Sequence, residues 1–213
     1  MCKHFLVLAL FSSALPLWSA TEFHHFTAIM SPSAENPVIS DKTGAGEAAI
    51  GIRLERGADG AITDAVIDFD IQLYLGQAEQ LVAMHIHRAG PGANGPIVIS
   101  SGGLDFSTPA IDAEAGDLRI FKQRLASMDP TVLEAVAGIL ANPGGYYVNI
   151  HSTSKRSGLI RGQLQNSPET LISMATQQGA DNGEAIDTLT ELAMTLRTTV
   201  NNIARRLGLV PAP

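Results

Sequence analysis

The sequence holds a single cysteine, Cys2, at the extreme N-terminus. Once the first residues are removed, the chain carries no thiol. That excludes disulfides, thiolate metal ligands and cysteine nucleophiles together. Charge is sparse as well: 16% of the 213 residues are charged, with 14 Lys and Arg against 21 Asp and Glu, a formal net charge of -7. There is no basic patch, so nucleic acid is not an expected partner. After the N-terminal segment no stretch stays apolar for the roughly 18 residues a membrane helix needs, so the mature chain is expected to be soluble, with no membrane span. The motifs G-x-S-x-G, Walker A, G-x-G-x-x-G and H-E-x-x-H are all missing, which removes the commonest hydrolase, nucleotide and zinc-protease signatures.

What is present is enough apolar material, 45% of residues, to pack a core. The opening "MCKHFLVLALFSSALPLWSA" has a basic Lys3, an apolar run from Phe5 to Leu15, Pro16, and small residues Ser19 and Ala20. This is the pattern of a secretory signal peptide over residues 1–20, with the bulky Trp18 as its one departure. It implies a secreted or periplasmic protein.

From residue 21 to 166 the pattern is that of short strands. In "VIDFDIQLYL", Ile67, Phe69, Ile71, Leu73 and Leu75 share one face, and Asp68, Asp70, Gln72 and Tyr74 the other. Asp68 and Asp70 read as solvating charges on that polar face. "EAAIGIRLERGADGAIT" reads as a strand, a turn at Asp59-Gly60 and the next strand. Further strands are expected in "LVAMHIH", "PIVIS", "DLRIFKQRL", "YYVNIH" and "GLIRGQL". Strands this short and frequent predict a β-sandwich or barrel. One helix interrupts them: in "DPTVLEAVAGILANPGG", Asp129 is the expected N-cap, Pro130 the first helical residue, and Val132, Leu133, Val136, Ile139 and Leu140 the apolar stripe.

Residues 167–213 change character and read as a helical extension. Ile186, Leu189, Ala193, Leu196, Val200, Ile203 and Leu207 are spaced alternately three and four apart, a heptad seam. A lone helix over 185–207 would be marginal in water, so the seam implies a partner surface: another protein, a second copy, or the chain's own body.

The distinctive stretch is "MHIHRAGPGANGPIVIS". On a strand, alternate residues share a face, so Val82, Met84 and Ile86 are expected to point to the core and His85 and His87 to the other side. The same parity in "YYVNIH" sends Tyr147, Asn149 and His151 outward, and in "GLIRGQL" it sends Arg161 and Gln163 outward. If the three strands are neighbours, His85, His87, His151, Asn149, Arg161 and Gln163 converge on one polar patch. Two readings follow. The histidines can be nitrogen ligands for Cu or Zn. Alternatively they hold loop carbonyls, His85 and His87 in the 90–95 loop and His151 in the "STSKRSG" turn, while Asn149 and Arg161 satisfy further carbonyls or an acidic neighbour. Ser100, Ser101 and Ser152 are available for a serine–histidine pair, but the spacing selects none of them.

Taken in order, "AMHIHRAGPGANGPIVI", "ANPGGYYVNIHS" and "GLIRGQL" resemble the CHRD domain, first described in chordin and found in many secreted microbial proteins. The resemblance implies an antiparallel β-sandwich, immunoglobulin-like and distantly similar to copper/zinc superoxide dismutase. Here it would carry one short inserted helix and the C-terminal helical tail. It implies an extracellular compartment and names no reaction; the leader pattern and the missing catalytic signatures add the expectation of a binding or structural module. The dismutases also place an H-x-H pair on a strand as copper ligands. Their dinuclear site needs six histidines and an aspartate, whereas only five of this chain's histidines follow residue 20, two of them the adjacent His24 and His25. Their disulfide has no counterpart here. The alternatives are therefore a non-enzymatic module and a protein with a three-histidine site for Cu or Zn on His85, His87 and His151, dismutase-like redox chemistry being the less favoured form of the second.

Overall fold

The structure, a computed structural model, describes residues 21–105 and 110–168. The expected signal peptide (1–20) and the expected helix at 185–207 lie outside the described residues. The described chain is mainly β, in two antiparallel sheets. The first runs in the order β10 (Gln165–Asn166), β1 (Thr21–Met30), β2 (Gly44–Arg56), β3 (Ile62–Leu75), β7 (Gly116–Ser127). The second has the order β5 (Ile97–Asp105), β4 (Glu79–Arg88), β8 (Tyr146–Ser152), β9 (Ile160–Gln163), with β6 (Ile111–Ala113) also paired to β4.

The long β2–β3 hairpin follows the alternation in its sequence. Ile67, Phe69, Ile71, Leu73 and Leu75 are all buried, facing Ile50, Ile52 and Leu54 of β2 within one core. On the opposite face Asp70 is drawn into a two-bond pair with Arg119 of β7, at 2.6 and 2.8 Å. The core is completed by Met84 and Ile86 of β4, Val148 and Ile150 of β8, and Ile160, so it lies between the two sheets.

Two crossings bind the sheets at one corner. After β1 the chain leaves the first sheet, and Ser31 exchanges backbone hydrogen bonds with Arg161 at the free edge of β9. After β9 it returns, and β10 pairs with β1. Gly162 is required at this corner, because a Cβ there would lie 2.5 Å from the Ile29 carbonyl oxygen.

One helix, α1 (Pro130–Ala141), is inserted before β8, and its Ala135, Val136 and Ile139 are buried. The Asp129 carboxylate accepts the Thr131 amide at 2.8 Å, the N-cap bond expected from the sequence. Replacing Asp129 by alanine is expected to cost about 1 kcal/mol. It should appear as a lower denaturant midpoint with an unchanged slope, since the cap adds little to the area exposed on unfolding.

The alternation fails once where it matters. β4 is bulged between Leu81 and Ala83 in its pairing with β8. The extra residue shifts the parity, so Leu81 joins the core cluster and Val82, expected there, is buried outside it. Past the bulge, Met84 and Ile86 face the core as expected.

Candidate functional site

The register of the second sheet brings the outward residues of three strands together. His85 lies opposite Asn149, His87 opposite Tyr147, and Ala83 opposite His151. On the far side of β8, Asn149 lies opposite Arg161 and Tyr147 opposite Gln163. The six residues expected to converge therefore share one face, but the face is not a surface patch. His85, His87, Asn149, His151 and Arg161 are between 1% and 8% exposed.

Three loop segments, 31–39, 89–96 and 153–158, cover them. The Asn36 amide nitrogen donates to the Gly92 carbonyl at 2.9 Å, and Asn94 donates to the Asn36 carbonyl at 2.6 Å. Gly95 allows the closest approach in the 89–96 loop, since a Cβ there would lie 2.0 Å from the Arg88 carbonyl oxygen. The Gln163 amide donates to the carbonyls of Ala89, Gly144 and Tyr146 at 2.7–2.8 Å, tying that loop to the end of α1 and the start of β8.

Inside, the three imidazoles are mutual neighbours, with ring centroids 5.2–5.7 Å apart. One ring nitrogen from each lies within 4.8 Å of the others. The hydrogen bonds fix which nitrogens are donors. His87 Nδ1 is 2.9 Å from the Gly95 carbonyl oxygen and His151 Nδ1 is 3.0 Å from that of Arg156, so each donates from Nδ1 and keeps its Nε2 lone pair. His85 Nδ1 lies 3.3 Å from His151 Nε2 and is the donor of that pair. His87 Nε2 is buried and has no hydrogen-bond partner among the described residues. Burial, opposed in part by the Gly95 hydrogen bond, holds His87 below the usual imidazole range. Burial likewise pulls His151 down to about 4. Both rings are neutral at pH 7.

A stack supports the cluster from one side. The Tyr147 ring lies 4.9 Å from His87 and nearly parallel, and the Arg161 guanidinium sits over that tyrosine ring, 3.5 Å from its centroid. Arg161 also donates to the Gly90 carbonyl and the Asn94 side chain at 3.1 and 3.3 Å. Of the loop-holding bonds expected of His85, His87 and His151, those of His87 and His151 are present, while His85 faces His151; the expected contacts of Arg161 and Asn149 are present as well.

Glu35 is the member that sequence patterning gave no sign of. It lies in the 31–39 loop, outside any strand, and reaches the face through a chain separation of 114 residues. It is 5% exposed, and Asn149 donates to its Oε2 at 3.5 Å. Burial pushes its carboxyl up to about 7, against the pull of Arg161 and the Asn149 hydrogen bond. The serines weighed as nucleophiles are engaged elsewhere: Ser101 bonds the Leu104 carbonyl, and Ser152 bonds Ser154 and the Lys155 amide. Ser100 lies opposite His85 in the register but is exposed.

Residues 26–164 match the CHRD domain. The chain belongs to the CHRD domain family. The matched span runs from β1 to the corner after β9 and includes every residue of the buried polar face, Glu35 among them. No curated protein and no solved structure matches the chain.

Proposed function

We propose that this CHRD domain is a secreted or periplasmic, non-catalytic binding module that holds one Cu(II) or Zn(II) ion on His85, His87 and His151. The observation that carries the reading is the buried, unpartnered His87 Nε2 beside two further imidazoles. An orphaned lone pair in the interior costs free energy unless something fills it. Three imidazole rings, two of them oriented from behind by backbone carbonyls, are the donor set an imidazole-preferring cation takes. The fit is close. Zn–N bonds of about 2.0–2.1 Å put tetrahedral donors about 3.4 Å apart. His85 Nδ1 and His151 Nε2 lie 3.3 Å apart; an ion between them would replace their hydrogen bond, with the His85 proton moving to Nε2, and the wider separations, up to 4.8 Å, need a rotation of the rings. The ion would supply a positive centre binding the three rings. Their burial supports a holding role over turnover.

The secretory leader pattern supports the compartment, and no helix among the described residues is long and apolar enough to cross a membrane. The domain division into 1–20, 21–166 and 167–213, and the kinship of the sandwich with the dismutase and immunoglobulin folds, belong to the same reading. The metal content of tag-free protein purified from its secreted form tests the proposal. About one equivalent of Cu or Zn, retained through gel filtration, is expected. Sub-stoichiometric metal with no uptake on titration leaves the histidines as loop clasps, the reading that their bonds to Gly95 and Arg156 favour.

The heptad seam at 185–207 supports self-association through the tail. Sedimentation velocity at tens of micromolar, where modest interfaces still associate, should show full-length protein as an oligomer and a chain lacking residues 183–213 as a folded monomer. Monomers in both cases would reject self-association.

A further inference from the structure

Four buried side-chain atoms lack a hydrogen-bond partner among the described residues: Glu35 Oε1, Glu79 Oε1, His87 Nε2 and Asn149 Oδ1. The Glu79 atom has the Lys42 ammonium 2.5 Å away. The other three all lie on the covered face of the second sheet, and two of them belong to side chains that already touch each other. Asn149 donates from Nδ2 to Glu35 Oε2, which leaves Asn149 Oδ1 and Glu35 Oε1 on the same two groups, both acceptors if Glu35 is ionised. Two unsatisfied acceptors on one amide–carboxyl pair call for a single donor between them. A second cation is disfavoured, because Arg161 already places a buried positive charge beside Glu35. A proton satisfies both at once, giving a carboxylic acid and a carboxamide joined by two hydrogen bonds.

We infer that one proton is shared between Glu35 Oε1 and Asn149 Oδ1, and that it latches the 31–39 segment over the histidine cluster. The space is tight enough to hold the pair together. A Cβ on Gly158, whose φ is +141°, would lie 2.5–2.7 Å from both Glu35 oxygens and the Asn149 nitrogen, so the 153–158 turn closes on the latch from outside. The 31–39 segment is in turn tied through Asn36 to Gly92 and Asn94, in the loop whose Gly95 holds His87. Releasing Glu35 therefore loosens the cover on the cluster.

The charged groups facing Glu35 are few. Arg161 comes from β9 and acts on the carboxyl; His151 is on β8, two residues along from Asn149. The 153–158 turn contributes Lys155, engaged with Asp41 at 2.8 Å, and Arg156, which is exposed. The 31–39 and 89–96 segments bring no other ionisable side chain. The sign follows from the carboxyl's position in the two states. Closed, it titrates near 7; freed, it titrates near its ordinary 4.5. The closed form thus binds the proton more tightly, and the latch is strongest below pH 4.5. It weakens as pH rises from 4.5 to 7, and is constant above.

The test is amide hydrogen exchange of full-length protein at pH 5.0 and 8.0, corrected for intrinsic exchange. It is read at Ala34, Glu35 and Ile39, whose amides bond Ser31 and Pro32 carbonyls inside the segment. Protection in the wild type should fall by one to two powers of ten (about 70-fold for values of 4.5 and 7). Glu35→Gln keeps both hydrogen bonds without a titrating proton, so its protection should stay high at both pH values. Glu35→Ala should be poorly protected at both. Equal wild-type protection at the two pH values, or a Glu35→Gln profile that still follows pH, overturns the latch. The consequence for access rests on the proposed metal site and is read separately. At pH 8.0, Glu35→Gln should take up Zn(II) tens of times more slowly than wild type, to the same final stoichiometry. Equal uptake rates alongside the expected exchange pattern would show a latch that does not gate the cluster. No uptake by either protein would reject the metal site and leave the exchange result standing.

Discussion

Replacing Arg161 by methionine is expected to destabilise the domain by about 3–5 kcal/mol, the range for removing one partner of a buried charged network. Arg161 heads the fully buried side chains by size. Its guanidinium joins the Gly90 carbonyl, the Asn94 side chain, the Tyr147 ring and the field at Glu35. Methionine fills much of the volume but leaves the two loop acceptors unpaired and the Glu35 carboxyl without its compensating charge. Lysine is expected to rescue little, because its ammonium lacks the planar fork that both stacks on Tyr147 and donates in two directions. Denaturant unfolding at pH 8 gives the value. The companion double variant, Arg161→Met with Glu35→Gln, should recover part of the loss, since it removes the stranded carboxylate. A cost under about 1 kcal/mol, the level of an exposed ion pair, would show that the network contributes little to the fold.

The second large effect is on metal affinity. His87→Ala is expected to weaken Zn(II) or Cu(II) binding by more than about 100-fold, the upper end of what losing an outer partner of a ligand costs. Tyr147→Leu keeps the ring's apolar bulk but removes the surface on which His87 is stacked, and should cost about 10-fold. His24→Ala is the control. That ring is engaged with Glu22 at 3.0 Å on β1, in the other sheet, and its loss should leave affinity unchanged. Competition against a chromophoric chelator measures all three. Equal affinity in wild type and His87→Ala would remove that ring from the site.

Much of this arrangement is legible in the amino-acid order because strands impose a period of two. Once His85, His87, Asn149, His151, Arg161 and Gln163 are assigned to alternate positions, antiparallel pairing of three strands is sufficient to gather them. Likewise "DP" before an apolar stripe is sufficient to start α1. Three things are not legible, each for a physical reason. The bulge between Leu81 and Ala83 is a register event between strands, and a period-two reading puts Val82 in the core in place of Leu81. The burial of the polar face depends on where three loops lie, and loops carry no periodicity. Parity therefore suggests a polar patch where the fold has a covered, buried face. Glu35 is harder still: nothing local distinguishes it from the chain's other acids, and its position is set by the crossing of β1 to the edge of β9. The heptad seam at 185–207 falls outside the described residues.

The most direct test of the central claim is X-ray absorption at the zinc edge on Zn-loaded, tag-free full-length protein. A coordination shell containing three imidazole nitrogens near 2.0–2.1 Å is expected, as is its loss in the protein carrying alanine at positions 85, 87 and 151. A shell of oxygen donors alone, or a spectrum unchanged by the triple substitution, would contradict it.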